Sequence, residues 1–224
     1  SVYSNTITTS GSDGYGAYLF SSYYNNNIYS NNITTRNITS HGVYLTRNIG
    51  KSTVYDNNIT TNNISGSYGI YLLDKVANNT FFRNKISSLS IGILLNGTRT
   101  ATPTMFPSVY NNTFTNDTIV PCTAGCAANY QDIVLTANAT DIIFTNVSFN
   151  KSRIAFVPRS PAVPVETNNL TVRWYLDINV TNSTDNSPIA NAQVVVNDSF
   201  AVNIFDGLTS VTGGIATQIV TEFT

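Results

Sequence analysis

Apolar and polar residues alternate in short bursts near the start of the chain, and the bursts return at a fixed interval. Ser-Val-Tyr-Ser-Asn-Thr-Ile (1–7) comes back as Asn-Ile-Tyr-Ser-Asn-Asn-Ile (27–33) and Thr-Val-Tyr-Asp-Asn-Asn-Ile (53–59). Looser copies are Thr-Phe-Phe-Arg-Asn-Lys-Ile (80–86) and Ser-Val-Tyr-Asn-Asn-Thr-Phe (108–114). The closing apolar residues Ile7, Ile33, Ile59, Ile86 and Phe114 are spaced by 26, 26, 27 and 28. A second pattern, Gly-x-Tyr-Leu, runs in phase from Gly16, Gly42 and Gly69, then as Gly92-Ile-Leu-Leu95. A period in this range marks stacked coils, each burying its apolar face only against its neighbours.

Period-2 alternation sets the two sides of each strand. In Gly-Val-Tyr-Leu it turns Val43 and Leu45 inward and Tyr44 outward, with Tyr18 and Tyr71 likewise. In Asn-x-Ile the Asn and Ile share a side, so Asn5, Asn31, Asn57, Asn84 and Asn112 are expected to stack as an internal ladder at a bend. The glycine column is expected to serve a positive φ, with Asp132 in Asp132-Ile-Val-Leu135 filling it in a fifth coil. Short β-branched strands, Asn-rich turns and no 3.6-residue period predict an all-β fold, a parallel β-helix (solenoid). The rival, a leucine-rich repeat, needs a Leu-x-x-Leu-x-Leu-x-x-Asn pattern that no coil meets.

Asn57-Asn-Ile59 with Gly69-Ile-Tyr-Leu72 resembles the right-handed parallel β-helix repeats of the NosD and pectate-lyase-like superfamily, over residues 1–157. Two insertions, 97–107 and 115–131, lengthen turns. Residues 158–166, with three prolines, read as a stiff linker. Residues 167–224 carry predicted strands at 170–180, 188–196 and 213–220. Trp174-Tyr-Leu-Asp and Pro188-Ile-Ala-Asn-Ala there resemble the small carboxypeptidase-regulatory-like or Ig-like β-sandwich of archaeal surface proteins. The segment is short for a ~100-residue sandwich of this kind, so its last strands are expected to be missing.

Composition agrees with stacking. Charged residues make up 10% of the chain, against roughly 25% in ordinary globular proteins. A like-charge column would repel itself along the stack, whereas Asn, Thr and Ser columns hydrogen-bond. The net charge of −1 leaves no footprint for nucleic acid or an anionic membrane. No apolar run reaches the ~20 residues of a membrane span. The chain opens at Ser1 inside a repeat, without a signal peptide or cap, and reads as processed or partial.

Candidate chemistry is sparse. A glycosidase needs two carboxylates about 5–9.5 Å apart, and a pectate-lyase-like site, by resemblance, needs clustered acidic Ca²⁺ ligands. Asp13, Asp56, Asp74 and Asp117 fall in different columns. Asp56 is expected to face Arg83, and Arg47 to face Asp74, as surface pairs worth at most ~1 kcal/mol. The lone histidine, His41, shares a column with Tyr15 and Tyr68. The NosD resemblance implies copper handling, yet one His, one Met and two Cys are few soft ligands; no metal or cofactor is expected. Cys122 and Cys126 are expected to form a disulfide stapling an inserted loop.

Asn-x-Ser/Thr acceptors of N-linked glycans are dense: Asn32, Asn37, Asn58, Asn63, Asn78, Asn96, Asn111, Asn116, Asn138, Asn146, Asn150, Asn169, Asn179, Asn182 and Asn197. Asn32, Asn37, Asn58 and Asn63 each precede an isoleucine expected to point inward, which would turn them to solvent. The outward column Tyr18, Tyr44, Tyr71 either binds sugar rings or a partner, or stiffens the sheet. A second column, Tyr3, Tyr29, Tyr55 and Tyr110, lies beside the Asn bend. These features lead to an extracellular, glycosylated, non-enzymatic structural protein, a cell-surface coat or filament subunit built by head-to-tail contacts with copies of itself. The alternative is a polysaccharide-binding module or carbohydrate-active enzyme using the tyrosine strip.

Overall fold

The computed structural model describes residues 1–21, 25–47, 49–97, 109–157 and 168–224. The predicted linker 158–166 and most of the insertion 97–107, with Met105 and Phe106, lie outside them. The described residues form two compact units. One is Ser1–Ile143 with Val147–Leu170, the other Phe144–Asn146 with Thr171–Thr224. No helix among them is long and apolar enough to cross a membrane.

The first unit is an all-β solenoid of about five turns. Its strands stack in register as parallel ladders. Thr6–Thr9, Asn32–Thr35, Asn58–Thr61, Lys85–Ser88 and Thr118–Val120 form one sheet. Ala17–Phe20, Val43–Thr46, Tyr68–Leu73, Ile91–Asn96, Gln131–Thr136 and Ile154–Val157 form another. Asn27–Tyr29, Thr53–Tyr55, Thr80–Phe82 and Thr113–Thr115 belong to a third, and Ile49–Gly50, Val76–Ala77, Val109–Tyr110 and Ala139–Thr140 to a fourth. Inward residues exclude water almost completely: Ile33, Leu45, Ile59, Leu72, Ile86 and Leu95 are fully buried. Each such side chain contributes about 1.5–3 kcal/mol by leaving water.

Bends between strands rest on single left-handed residues. Ser4, Ser30, Asp56, Arg83 and Asn116 occupy one corner of successive coils, with φ between 54 and 56°. Lys51, Asn78, Asn111 and Asp141 occupy a second, with φ between 52 and 58°. In the inner coils both corners are followed by an inward polar rung, as at Asn31, Asn57, Asn84, Ser52, Asn79 and Asn112, which pairs the backbone groups that a sharp bend strips from the sheets.

Several expectations need correction. The fifth repeat was aligned on Phe114, but Phe114 stacks on Phe81, with ring centroids 4.4 Å apart, and Ile119 pairs with Ile86. That step is 33 residues. Asn112 therefore leaves the predicted ladder and Asp117 takes its place. Tyr110 likewise pairs with Ala77 and Thr140, and Phe82 is the fourth ring after Tyr3, Tyr29 and Tyr55. Positive φ does not explain the glycines: Gly16, Gly42, Gly69 and Gly92 are not left-handed. A Cβ on Gly42 would overlap Ile59 Cγ2 and lie 2.6 Å from Gly69 O. The column is glycine because the next coil's isoleucine and backbone occupy that space.

The second unit is also β. Leu170–Leu176 pairs antiparallel with Gln218–Phe223, and Gln193–Asn197 with Asn203–Leu208. The last of these strands was not predicted. The unit buries little: Val172, Val196 and Thr209 are inside, while Val195, Phe200, Val202, Leu208, Val211 and Ile219 are exposed.

Candidate functional site

The outer surface of the coils carries the candidate chemistry, and the inward rungs decide which asparagines reach it. Asn57 shows how a rung works. Its Nδ2 donates to Ile28 O, Tyr55 O and Asn84 Oδ1, each at 2.9 Å. Its Oδ1 accepts from Asn31 N and Asn31 Nδ2 at 3.0 Å. The pattern runs from Asn5 through Asn31, Asn57 and Asn84 to Asp117. A second ladder joins Ser52, Asn79 and Asn112. Every buried asparagine belongs to these ladders, and none is followed by x-Ser/Thr.

Asp117 is the odd rung. Its Oδ1 accepts from Asn84 N at 2.7 Å and Asn84 Nδ2 at 2.9 Å, while its buried Oδ2 has no partner. Burial pushes its pKa up to about 7, against the pull of the Asn84 hydrogen bonds.

The fifteen asparagines of the Asn-x-Ser/Thr triplets sit differently. None of the fifteen is buried: Asn32, Asn58, Asn78, Asn111, Asn116, Asn146, Asn150, Asn179, Asn182 and Asn197 are exposed, and Asn37, Asn63, Asn96, Asn138 and Asn169 are intermediate. The inward-isoleucine argument holds for Asn32 and Asn58, whose neighbours Ile33 and Ile59 are core. It fails for Asn37 and Asn63, because Ile38 and Ile64 are themselves exposed beyond the strand ends.

The tyrosines form a block of rings. Tyr44 lies between Tyr18 at 5.0 Å and Tyr71 at 4.9 Å, with interplanar angles of 20° and 7°. Beside it, His41 lies between Tyr15 at 5.3 Å and Tyr68 at 4.9 Å and meets Tyr44 and Tyr71 edge-on. Stacking covers both faces of Tyr44 with other rings, so a sugar reaches that column only through its edges or through Tyr18, which is 47% exposed. His41 Nδ1 accepts from Tyr68 N at 3.2 Å. That acceptor role places the ring proton on Nε2, and burial lowers the pKa to about 4.

Other candidates separate. Arg83 grips Asp56 through two hydrogen bonds of 2.7 and 2.8 Å. Arg47 forms no ion pair with Asp74 but lies over the Phe20 ring at 5.0 Å. Asp132 is buried, accepting from Tyr130 Oη and Asn150 N at 2.6 Å; the sequence reading gave it only a backbone role. Cys122 and Cys126 are joined by a disulfide. Their loop borders a shallow groove lined by Thr60, Thr61, Ser87, Ser88 and Val120. Among the described residues no three His, Cys, Asp or Glu side chains cluster as a metal site.

Among known protein families, the model described as periplasmic copper-binding protein (NosD) matches residues 1–130. No curated protein and no solved structure matches the chain.

Proposed function

We propose that this chain, which belongs to the NosD family, is a glycosylated structural protein of the cell exterior. In this reading the solenoid is a rigid, weakly charged scaffold whose outer surface carries N-linked glycans, and copies join head to tail in a coat or filament. The observation that carries it is the sorting of asparagines: all fifteen acceptors lie outside the core, and the buried ladder asparagines are in no acceptor triplet. The family's periplasmic description supports a location beyond the cytoplasm. A disulfide fits an oxidising compartment.

Copper, named in the family description, does not fit the described residues. His41 uses Nδ1 as an acceptor inside an aromatic stack, and both cysteines are bonded to each other. Soft thiolate or clustered imidazole ligands are what copper selects, and neither is present among them.

Charge favours assembly between copies. Residues 1–170 contain ten Lys/Arg and seven Asp/Glu, for a net +3; residues 171–224 contain one and five, for a net −4. The acidic unit also exposes Val195, Leu208 and Val211, which offer apolar side chains to a contact between copies. Electron microscopy and intact-mass measurement of natively purified protein test the reading. Polymers, and a mass above that of the same protein after enzymatic deglycosylation, are expected; dispersed particles whose mass deglycosylation leaves unchanged would overturn it.

A further inference from the structure

We infer that Asn63, Asn150 and Asn182 are N-glycan acceptors available on the folded protein, in preference to Asn37, Asn58, Asn96 and Asn111. This rests on the surface-glycoprotein reading above and adds the choice of sites.

Glycan transfer makes two demands on the acceptor. Its amide nitrogen must attack the anomeric carbon of a polyprenyl-phosphate-linked oligosaccharide. The Nδ2–C1 bond forms, the C1–O bond to the lipid phosphate breaks, and one amide proton leaves with the departing phosphate. The nitrogen must therefore be unengaged, and the backbone around it must be able to enter an enzyme's cleft. A residue in the middle of a paired sheet fails the second demand, because withdrawing it breaks hydrogen bonds on both sides.

Asn63, Asn150 and Asn182 meet the first demand and sit outside the paired sheets, with backbone ties from Asn150 N to Asp132 Oδ2 at 2.6 Å and from Asn182 N to Ser187 O at 2.8 Å. All three lie outside strands. In each the side-chain carbonyl, not the nitrogen, is used locally, and it accepts from the backbone N–H of the triplet's own Ser or Thr. The distances are 2.7 Å from Ser65 N, 3.0 Å from Ser152 N and 2.9 Å from Thr184 N. This Asx turn holds Asn and hydroxyl residue on one side of a bend. At Asn150 the Ser152 hydroxyl donates to the same oxygen at 2.8 Å. The Nδ2 groups point away from these bonds and have no protein partner among the described residues.

The other four acceptors have committed nitrogens. Asn58 Nδ2 donates to Asn32 Oδ1 at 3.1 Å, and Asn111 Nδ2 to Asn78 Oδ1 at 2.7 Å, each reaching a neighbouring coil. Asn37 Nδ2 donates to Ser10 O at 3.1 Å, and Asn96 Nδ2 to the Tyr71 hydroxyl at 3.2 Å. Asn58 is also paired on both sides, with Asn32 and Lys85.

Site-resolved glycopeptide mass spectrometry of the protein from its native host tests the assignment. High occupancy is expected at Asn63, Asn150 and Asn182, and at least tenfold less at Asn37, Asn58, Asn96 and Asn111. Expression in the same host of the triple variant Asn63→Gln, Asn150→Gln, Asn182→Gln should lower glycan mass by the three chains at these sites, while Asn58→Gln with Asn111→Gln should remove none. Equal or greater occupancy at the four committed sites would overturn the assignment and leave the glycoprotein reading standing. A native chain with no glycan at any site would overturn both.

Discussion

At the residue scale, the informative position is the one where a ladder changes chemistry. An asparagine rung both donates and accepts; an ionised aspartate only accepts. Asp117 therefore keeps the two bonds from Asn84 and leaves Oδ2 unpaired inside the stack. Its folded pKa, about 7, lies above the ordinary 3.8. A raised folded value means that this group's stabilisation is complete below about pH 3.8 and is lost as pH rises through about 7. Asp117→Asn restores a donor and removes the charge. Thermal melts should show a variant several degrees more stable than the parent at pH 8, with the gap closing toward pH 3.5; a constant gap would rule out titration as its cause. Asn57 tests the register. Asn57→Leu strands Ile28 O, Tyr55 O and Asn31 N–H, at about 1–3 kcal/mol for each unsatisfied group. Denaturant unfolding should register a loss of about 3 kcal/mol or more. Asn58→Ala, on the exposed side of the same strand, should stay within about 0.5 kcal/mol.

At the element scale, the coil was legible because burial enforces its alternation. Ile33, Ile59 and Ile86, with Leu45 and Leu72, fall where period 2 places them. The slip in the fifth coil has a physical origin. Several coils share one grammar at both corners: a left-handed residue, an inward amide or acid, an outward residue, an inward apolar residue. Asn111-Asn112-Thr113-Phe114 and Asn116-Asp117-Thr118-Ile119 both obey it, five residues apart. After an insertion the chain offers two alignments that sequence alone does not separate, and only stacking partners choose between them. The glycine column was found for a mistaken reason, since a close approach by the next coil leaves no mark in the local sequence. Gly42→Ala should cost more than the ~1–3 kcal/mol of ordinary overpacking, because one of its overlaps is with backbone, Gly69 O. Trimming Ile59 to alanine in the same chain relieves only the side-chain overlap. The double variant should therefore unfold more readily than Ile59→Ala alone; equal stability would mean that the backbone carbonyl can move aside.

At the scale of the whole molecule, the Asn-x-Ser/Thr triplets were legible in the sequence while the different bonding of their amides was not, since Asx turns and amide bonds to a neighbouring coil arise only once the chain has folded. Assembly poses the corresponding question between copies. Solenoid coils are rich in neutral Asn, Thr and Ser columns, so in the proposed assembly long-range attraction between copies would come from the contrast between a +3 segment, 1–170, and a −4 segment, 171–224. Charges of this size act over a Debye length, about 10 Å at 0.1 M salt and about 3 Å at 1 M. Apolar contacts, were copies to meet through Val195, Leu208 and Val211, would respond in the opposite direction, strengthening in sulfate. The two contributions are therefore separable. If opposite charge brings copies together and apolar contact holds them, light scattering should show assembly that slows as sodium chloride rises. Preformed polymers should survive the same salt and persist in ammonium sulfate. Replacing Val195 and Leu208 together by serine should then lower polymer mass at equilibrium with little effect on the salt dependence of the initial rate. Polymers that dissolve promptly in 1 M sodium chloride would assign the holding contact to charge instead, and would place it away from the exposed valines and leucine of the acidic unit.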